Sequence, residues 1–183
     1  MCVGRNYLEH AKEMGNDVPK EPLLFLKPPS TVIPSGAAIE LPADAGRIDF
    51  EGEIGVVIGT RLRKATPDDC RAGVRGIVAA NDVSARDWQK GDGQWARAKG
   101  CDTFLPLGDE SRAPFDLENL TVVTRHNGVE KQRGHSADMA FSIPVLLAYI
   151  TRYITLEPGD LVLTGTPAGV AQDRKSTRLN SSH

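Results

Sequence analysis

A pair of carboxylates running straight into an apolar strand constrains this chain more than any other feature. The segment is Asp49-Phe50-Glu51-Gly52-Glu53-Ile54-Gly55-Val56-Val57-Ile58-Gly59. The β-branched run Ile54 to Ile58 predicts a buried strand. Side chains two apart on a strand share a face, so Glu51 and Glu53 would aim at one point. Like charges held that close need something positive between them. An all-oxygen site of this kind favours Mg²⁺, Mn²⁺ or Ca²⁺ over Zn²⁺. A solvated strand end carrying two glutamates fits the segment equally well. A second apolar run, Gly76 to Ala80, ends in Asn81-Asp82. Asp82 would open onto the same site, or cap the turn that follows.

Two further candidates lie elsewhere. His10 and Glu13 share a face if Leu8 to Met14 is helical. A histidine oriented by a carboxylate is suited to activating water, although on spacing alone a charged surface helix is the commoner explanation. Lys99 follows the Gly-rich stretch Gly91-Asp92-Gly93 and would neutralise an anion or an enolate, or else stand solvated on the surface.

The bounds on the chain are simple. Its 183 residues are one domain's worth of sequence, and 40% hydrophobic content is enough for a core. A net charge of -2 gives no reason to expect a nucleic-acid or membrane-surface partner. No apolar run approaches the roughly 18 residues that span a bilayer. Met1 leads straight into Cys2-Val3-Gly4-Arg5, with no secretory signal pattern. Cys2, Cys70 and Cys101 form neither a zinc motif nor a disulfide framework, which suits a reducing compartment. The expectation is a cytoplasmic protein, or a mitochondrial one if the source is eukaryotic and the N-terminus is shortened.

With 18 glycines and 12 prolines, the chain reads as many short strands and few helices. Strands are expected at Leu23 to Leu26, Ala37 to Leu41 and Leu161 to Thr164, and a helical turn at Pro67 to Ala72. Asn127-Gly128 between two β-prone runs predicts a hairpin. Ser142-Ile143-Pro144 opens one clear helix, reaching about Tyr153.

Taken in order, Gly4-Arg5-Asn6-Tyr7-x-x-His10-x-x-Glu13, Phe25-Leu26-Lys27-Pro28, Glu51-x-Glu53, Asn81-Asp82-x-x-Ala85-Arg86-Asp87, Gln94-Trp95-x-x-Ala98-Lys99 and Thr164-Gly165-Thr166-Pro167 resemble the fumarylacetoacetate hydrolase family. The resemblance covers about residues 2 to 170. It implies a mixed β-rich α+β fold, a roll of mixed sheets with few short helices, and a homodimer. It implies an Mg²⁺ or Mn²⁺ ion on Glu51, Glu53 and Asp82, with His10, Glu13 and Lys99 as catalytic residues. Arg5, Tyr7, Lys27, Arg86, Gln89 and Thr166 would then contact a small keto-acid substrate, and Arg5 or Arg86 would grip a second carboxylate. The implied activity is hydrolysis of a carbon–carbon bond in acylpyruvate-type 2,4-dioxo acids. The family also contains 2-hydroxyhepta-2,4-diene-1,7-dioate isomerases and oxaloacetate decarboxylases, in aromatic and keto-acid catabolism.

Residues 171–183 are polar and basic and depart from the family pattern. They are expected to be disordered, non-native sequence standing in for further strands of a catalytic domain at 1–170. An inactive, truncated metal-binding fragment is then the alternative to an active enzyme.

Overall fold

The computed structural model describes residues 1–13, 15, 19–112 and 114–172. Its strands are β1 (Cys2–Gly4), β2 (Leu23–Phe25), β3 (Val32–Pro34), β4 (Ile48–Phe50), β5 (Gly52–Ile58), β6 (Val74–Asn81), β7 (Ser84–Ala85), β8 (Leu105–Leu107), β9 (Thr121–His126), β10 (Val129–His135), β11 (Leu161–Leu163) and β12 (Ala171–Gln172). The helices are short: α1 (Leu8–Glu13), α2 (Pro67–Ala72), α3 (Arg86–Gly91), α4 (Ala96–Gly100) and α5 (Ile143–Thr151). A seven-stranded sheet runs β2-β1-β11-β5-β6-β8-β3, beside a three-stranded sheet β12-β4-β7 and the hairpin β9-β10. β1 and β11 pair in parallel, as do β3 and β8, within an otherwise antiparallel sheet. This is the mixed, β-rich α+β fold expected from the sequence. No helix among the described residues is long and apolar enough to cross a membrane.

β5 organises the sheet, and all seven of its residues are buried. The period of two sends Ile54, Val56 and Ile58 to one face and Glu53, Gly55 and Val57 to the other. The first face meets Leu146, Leu147 and Ile150 of α5 and Val162 of β11 in the main core. Glu53 therefore points away from that core, over Ala80, its cross-strand partner. Gly55 keeps this second face low, since a Cβ there would lie 2.7 Å from a Val78 methyl.

The local chemistry explains most element ends. Thr66 and Asp69 form a reciprocal capping box on α2, and Pro67 opens it. Ser142 is the residue before α5 with Pro144 in its first turn, but its hydroxyl makes no capping bond. Asn127 and Gly128 both adopt positive φ, 52° and 78°, as a tight two-residue hairpin turn requires. A register irregularity between Glu130 and Gln132 then breaks the alternation of β10.

One expected strand is absent. Ala37 to Leu41 has no ladder partner and runs as coil. Ile39 drops into a second apolar cluster with Phe104, and the Glu40 amide donates to the Thr103 hydroxyl at 2.8 Å. Burial and one side-chain bond hold an apolar segment here without sheet pairing. The expected α1 runs to Glu13, and Met14 lies outside the described residues. So do residues 173–183, and with them nearly all of the tail expected to be disordered.

Candidate active site

Glu51 sits in the break between β4 and β5, and Glu53 is the second residue of β5. Asn81 pairs with Gly52 across the ladder, which brings Asp82 alongside Glu51. The Asp82 amide donates to the Glu51 carbonyl at 2.8 Å, and the Glu51 amide donates to Asn81 Oδ1 at 2.9 Å. One carboxylate oxygen from each of Glu51, Glu53 and Asp82 lies within 4.8 Å of the others, and all three residues are buried. Strand pairing, not strand alternation alone, gathers the three acids.

Cations brace this cluster. Lys99, on α4, is 2% exposed and donates to Glu51 Oε2 at 2.6 Å and to Asp82 Oδ2 at 2.7 Å. Its Nζ also lies 5.2 Å from the centre of the Phe25 ring. Lys27 donates to Asp82 Oδ1 at 2.7 Å. Arg86, at the start of α3, is held by three side chains. Its Nε donates to Asp49 at 2.8 Å, Nη1 donates to Gln89 at 2.8 Å, and Nη2 lies 2.6 Å from Glu51. Among the described residues no cation pairs with Glu53, which accepts the Gly165 amide at 2.7 Å.

The electrostatics follow from this asymmetry. Burial alone would raise the Glu51 carboxyl, but Arg86 and Lys99 beside it hold it below the usual carboxylate range. Burial raises Glu53 well above that range, and the charges of Asp82 and Glu51 add to the effect. Burial would lower Lys99, yet Asp82 and Glu51 more than offset it and keep the ammonium charged. The cluster thus holds one carboxyl group that prefers a proton. A divalent cation would take the place of that proton, and three hard oxygen donors fit Mg²⁺ or Mn²⁺.

A cavity of about 380 Å³ opens beside the three acids. His10, Arg5, Arg86, Gln89, Lys99 and Thr166 line it with them, so the structure brings most of the sequence candidates to one place. His10 is 6% exposed, and its Nδ1 lies 3.2 Å from Glu13. Glu13 in turn accepts the Gly169 amide at 3.1 Å. Lys27 reaches the site through Asp82 without lining the cavity. Tyr7 lies apart, lining a neighbouring cavity with Arg133 and Asp138. Its hydroxyl is buried, and burial, followed by Glu53 and Asp138, raises its titration above the ordinary phenol range.

Sequence reasoning gave no role to several residues that build this site. Asp49 holds Arg86 and Arg47. Gln132 is 1% exposed and braces the wall, accepting the Gly52 amide and donating to Thr166 Oγ1 and the Pro167 carbonyl. Asn6 ties β1 to the loop after β11, donating to the Thr164 carbonyl at 2.8 Å. Buried amides on the bulged hairpin have no short-range sequence signal. Asp49 did have one, since it opens the same acidic run.

Comparison with known proteins agrees with this geometry. The profile for the fumarylacetoacetate (FAA) hydrolase C-terminal domain matches residues 1–182. The chain belongs to the fumarylacetoacetate hydrolase family. Protein Rv2993c of Mycobacterium tuberculosis is 44% identical over 173 residues, 93% of this chain and 65% of that protein. The mitochondrial oxaloacetate tautomerase FAHD2A of Homo sapiens is 40% identical over 180 residues, covering 96% of this chain and 57% of the relative. The chain thus spans less than two thirds of the length of either. Among solved structures, 2-hydroxyhepta-2,4-diene-1,7-dioate isomerase from Mycobacterium marinum superposes with a TM-score of 0.85 at 40% identity, over 94% of this chain and 64% of that one. Fumarylpyruvate hydrolase from Pseudomonas aeruginosa, in complex with Mn²⁺ and pyruvate, gives a TM-score of 0.85 at 31% identity, over 95% and 79% of the two chains. Members of this family are enzymes, and this chain carries an acidic triad able to hold a divalent metal.

Proposed function

We propose that this protein is a divalent-metal-dependent hydrolase of acylpyruvate-type 2,4-dioxo acids, using Mg²⁺ or Mn²⁺. The observation that carries the proposal is the His10–Glu13 pair, with His10 facing the same cavity as the three acids. A cation held by Glu51, Glu53 and Asp82 would supply a Lewis acid for the oxygens of a 2-oxo acid. The remaining chemistry belongs to the side chains. In the tautomer that donates Nδ1–H to Glu13, His10 Nε2 carries a free lone pair and takes a proton from water. The hydroxyl adds to the distal carbonyl carbon. The bond to the methylene then breaks, and its electron pair leaves on pyruvate as the enolate. That enolate recovers one proton, so water is consumed and a carboxylic acid and pyruvate are the products. Lys99 holds Glu51 and Asp82 in place and offers positive charge to the developing oxyanion.

A second reading is tautomerisation or isomerisation of a related 2-oxo or 2-hydroxydienoic acid, which needs proton transfer without attack by water. The 40% identity to proteins named isomerase and tautomerase, against 31% to a hydrolase, favours it. The test is the ultraviolet absorbance of acetylpyruvate with purified protein, with Mg²⁺ and after chelation. Loss of the dioxo chromophore that needs the metal, with pyruvate formed mole for mole, is expected. A metal-stabilised protein that leaves acetylpyruvate intact would favour the second reading.

A further inference from the structure

We infer that Gln132 is a positioning residue that fixes the direction of the hydrogen bond Thr166 makes in the cavity. The Thr166 hydroxyl receives a hydrogen from an O–H group there, and it gives none to a carboxylate or a ketone. The inference rests on the 2-oxo acid chemistry proposed above, which supplies two such groups. They are the water that His10 deprotonates and the 2-hydroxyl of an enolic ligand.

Hydrogen counting gives the direction. Gln132 lies on β10, is 1% exposed, and pairs with Thr124 across the hairpin. Its side chain reaches Gly52 of β5, where a Cβ would collide with Thr124 Oγ1 and lie 3.3 Å from Gln132 Oε1. Two backbone groups decide which way the amide points. The Gly52 N–H donates to Oε1 at 2.9 Å, and Nε2 donates to the Pro167 carbonyl at 2.8 Å. An N–H cannot accept and a carbonyl cannot donate, so the amide cannot be turned over. The second Nε2 hydrogen goes to Thr166 Oγ1 at 2.7 Å. Thr166 must accept it, and its own hydrogen goes to the Gly52 carbonyl at 2.9 Å. A hydroxyl has one hydrogen and two lone pairs. One lone pair is all that the Thr166 hydroxyl has left.

Thr166 lines the cavity with His10 and the three acids, so that lone pair is what its hydroxyl can offer a ligand. A carboxylate or ketone oxygen brings lone pairs of its own and is repelled, whereas an O–H group is attracted. The hydroxyl is held against turning round. Thr166 is 3% exposed, and a donor swung toward a ligand would leave the buried Gly52 carbonyl without it. The loop is also seated on β10, where a Cβ on Gly134 would lie 2.6 Å from Pro167. Thr164, two residues earlier, makes the contrast. Its hydroxyl donates to the Ile54 carbonyl at 2.9 Å, and it is buried without lining the cavity. It ties the loop to β5 and no more. In hydrolysis, His10 Nε2 takes one hydrogen of the water. Thr166 would hold the other, which stays on the oxygen and ends in the product acid. In isomerisation, the enol hydroxyl would be the group held.

The test titrates pyruvate and glycolate by calorimetry into the Mn²⁺-loaded protein, and follows acetylpyruvate cleavage on the same samples. Glycolate carries a hydroxyl where pyruvate carries a carbonyl. Thr166→Val should bind pyruvate within about twofold of the native protein, because no hydrogen bond to that ligand is lost. It should lose about fivefold in kcat for acetylpyruvate at unchanged KM, or about fivefold in glycolate affinity, the size of one hydrogen bond between uncharged groups. The first loss identifies water as the donor, and the second identifies the ligand hydroxyl. Thr166→Ser should recover either loss. Gln132→Met keeps the Thr166 hydroxyl but removes the amide that sets it. It should show the same loss at about twofold, with Mn²⁺ and pyruvate affinities native. Parallel loss of Mn²⁺ and pyruvate binding in Gln132→Met would overturn the positioning role. Pyruvate binding that falls about fivefold in Thr166→Val and returns in Thr166→Ser would reveal a donating hydroxyl and overturn the inference. Native kcat together with native glycolate affinity in Thr166→Val would overturn it too. The hydrolase reading fails separately, if the native protein leaves acetylpyruvate intact, and the glycolate titration then decides the inference alone.

Discussion

Two glutamates in this molecule accept a backbone amide from the same loop, yet they are held very differently. Glu53 takes the Gly165 N–H at 2.7 Å and lies buried on a seven-residue strand in mid-sheet. Glu13 takes the Gly169 N–H at 3.1 Å, is exposed, and rides on a six-residue helix. Both glycines have φ of +97°, and neither has space for a side chain. The half proposed to hold a cation is therefore fixed by strand pairing and by Lys27, Arg86 and Lys99. The half proposed to activate water hangs on one short helix and one latch. The difference teaches that the two halves should be separable by mutation.

The sharpest cut is in the rigid half. Glu53→Ala should abolish metal-dependent turnover and Mn²⁺ binding by calorimetry, while leaving the His10–Glu13 pair in place. Turnover that persists in that variant would break the division. Lys99→Met comes next, because it leaves Glu51 and Asp82 buried against each other. Arg86 still faces Glu51 and Lys27 still faces Asp82, so the loss of stability in chemical denaturation should fall short of the ~3–5 kcal/mol that follows when a buried charge is left with no partner. Added Mn²⁺ should recover part of it.

The His10–Glu13 half is probed by Gly169→Ala. A Cβ there would meet the Lys131 carbonyl oxygen at 2.1 Å, so the loop must shift and the amide must leave Glu13. The expected result is a fall of about tenfold in kcat, the size of one lost hydrogen bond to a charged group, with Mn²⁺ affinity unchanged. Equal losses in both would mean that the latch also holds the metal side.

The smallest effect is that of pH on the metal-free protein. Burial raises Glu53 above its ordinary value of 4.5, so the folded state holds a proton that the unfolded chain releases. Stability should then fall as pH rises from about 4.5 toward the raised value, by at most about 1.4 kcal/mol per pH unit. Glu51, held low by Arg86 and Lys99, acts in the opposite sense and loses its contribution only in acid. Saturating Mn²⁺ should remove the decline on the alkaline side, since the bound ion requires the ionised carboxylate. A thermal melt series across pH, with and without metal, reads both.

The parts of the site that were legible in the sequence were those with local periodicity. Glu51 and Glu53 precede a β-branched run, and Asp82 ends another, so pattern alone brought them to strand ends. The Asn127-Gly128 hairpin was equally plain. What was hidden depends on long-range contact. Arg86 reads as a free cation in the sequence, and only the fold shows Asp49 and Glu51 occupying it. Tyr7, three residues before His10, lines a different cavity because the chain turns at Arg5 and Asn6. Ala37 to Leu41 had the composition of a strand, but Ile39 is satisfied by burial against Phe104 and no ladder forms.

The measurement that tests the separation most directly is made on one variant, His10→Ala. Mn²⁺ binding by calorimetry and cleavage of acetylpyruvate are followed on the same sample. The expected result is Mn²⁺ affinity within about twofold of the native protein and a loss of roughly 10²–10⁴ in kcat, the usual contribution of a general base. Parallel loss of metal binding and turnover, or cleavage that continues at the native rate, would contradict it.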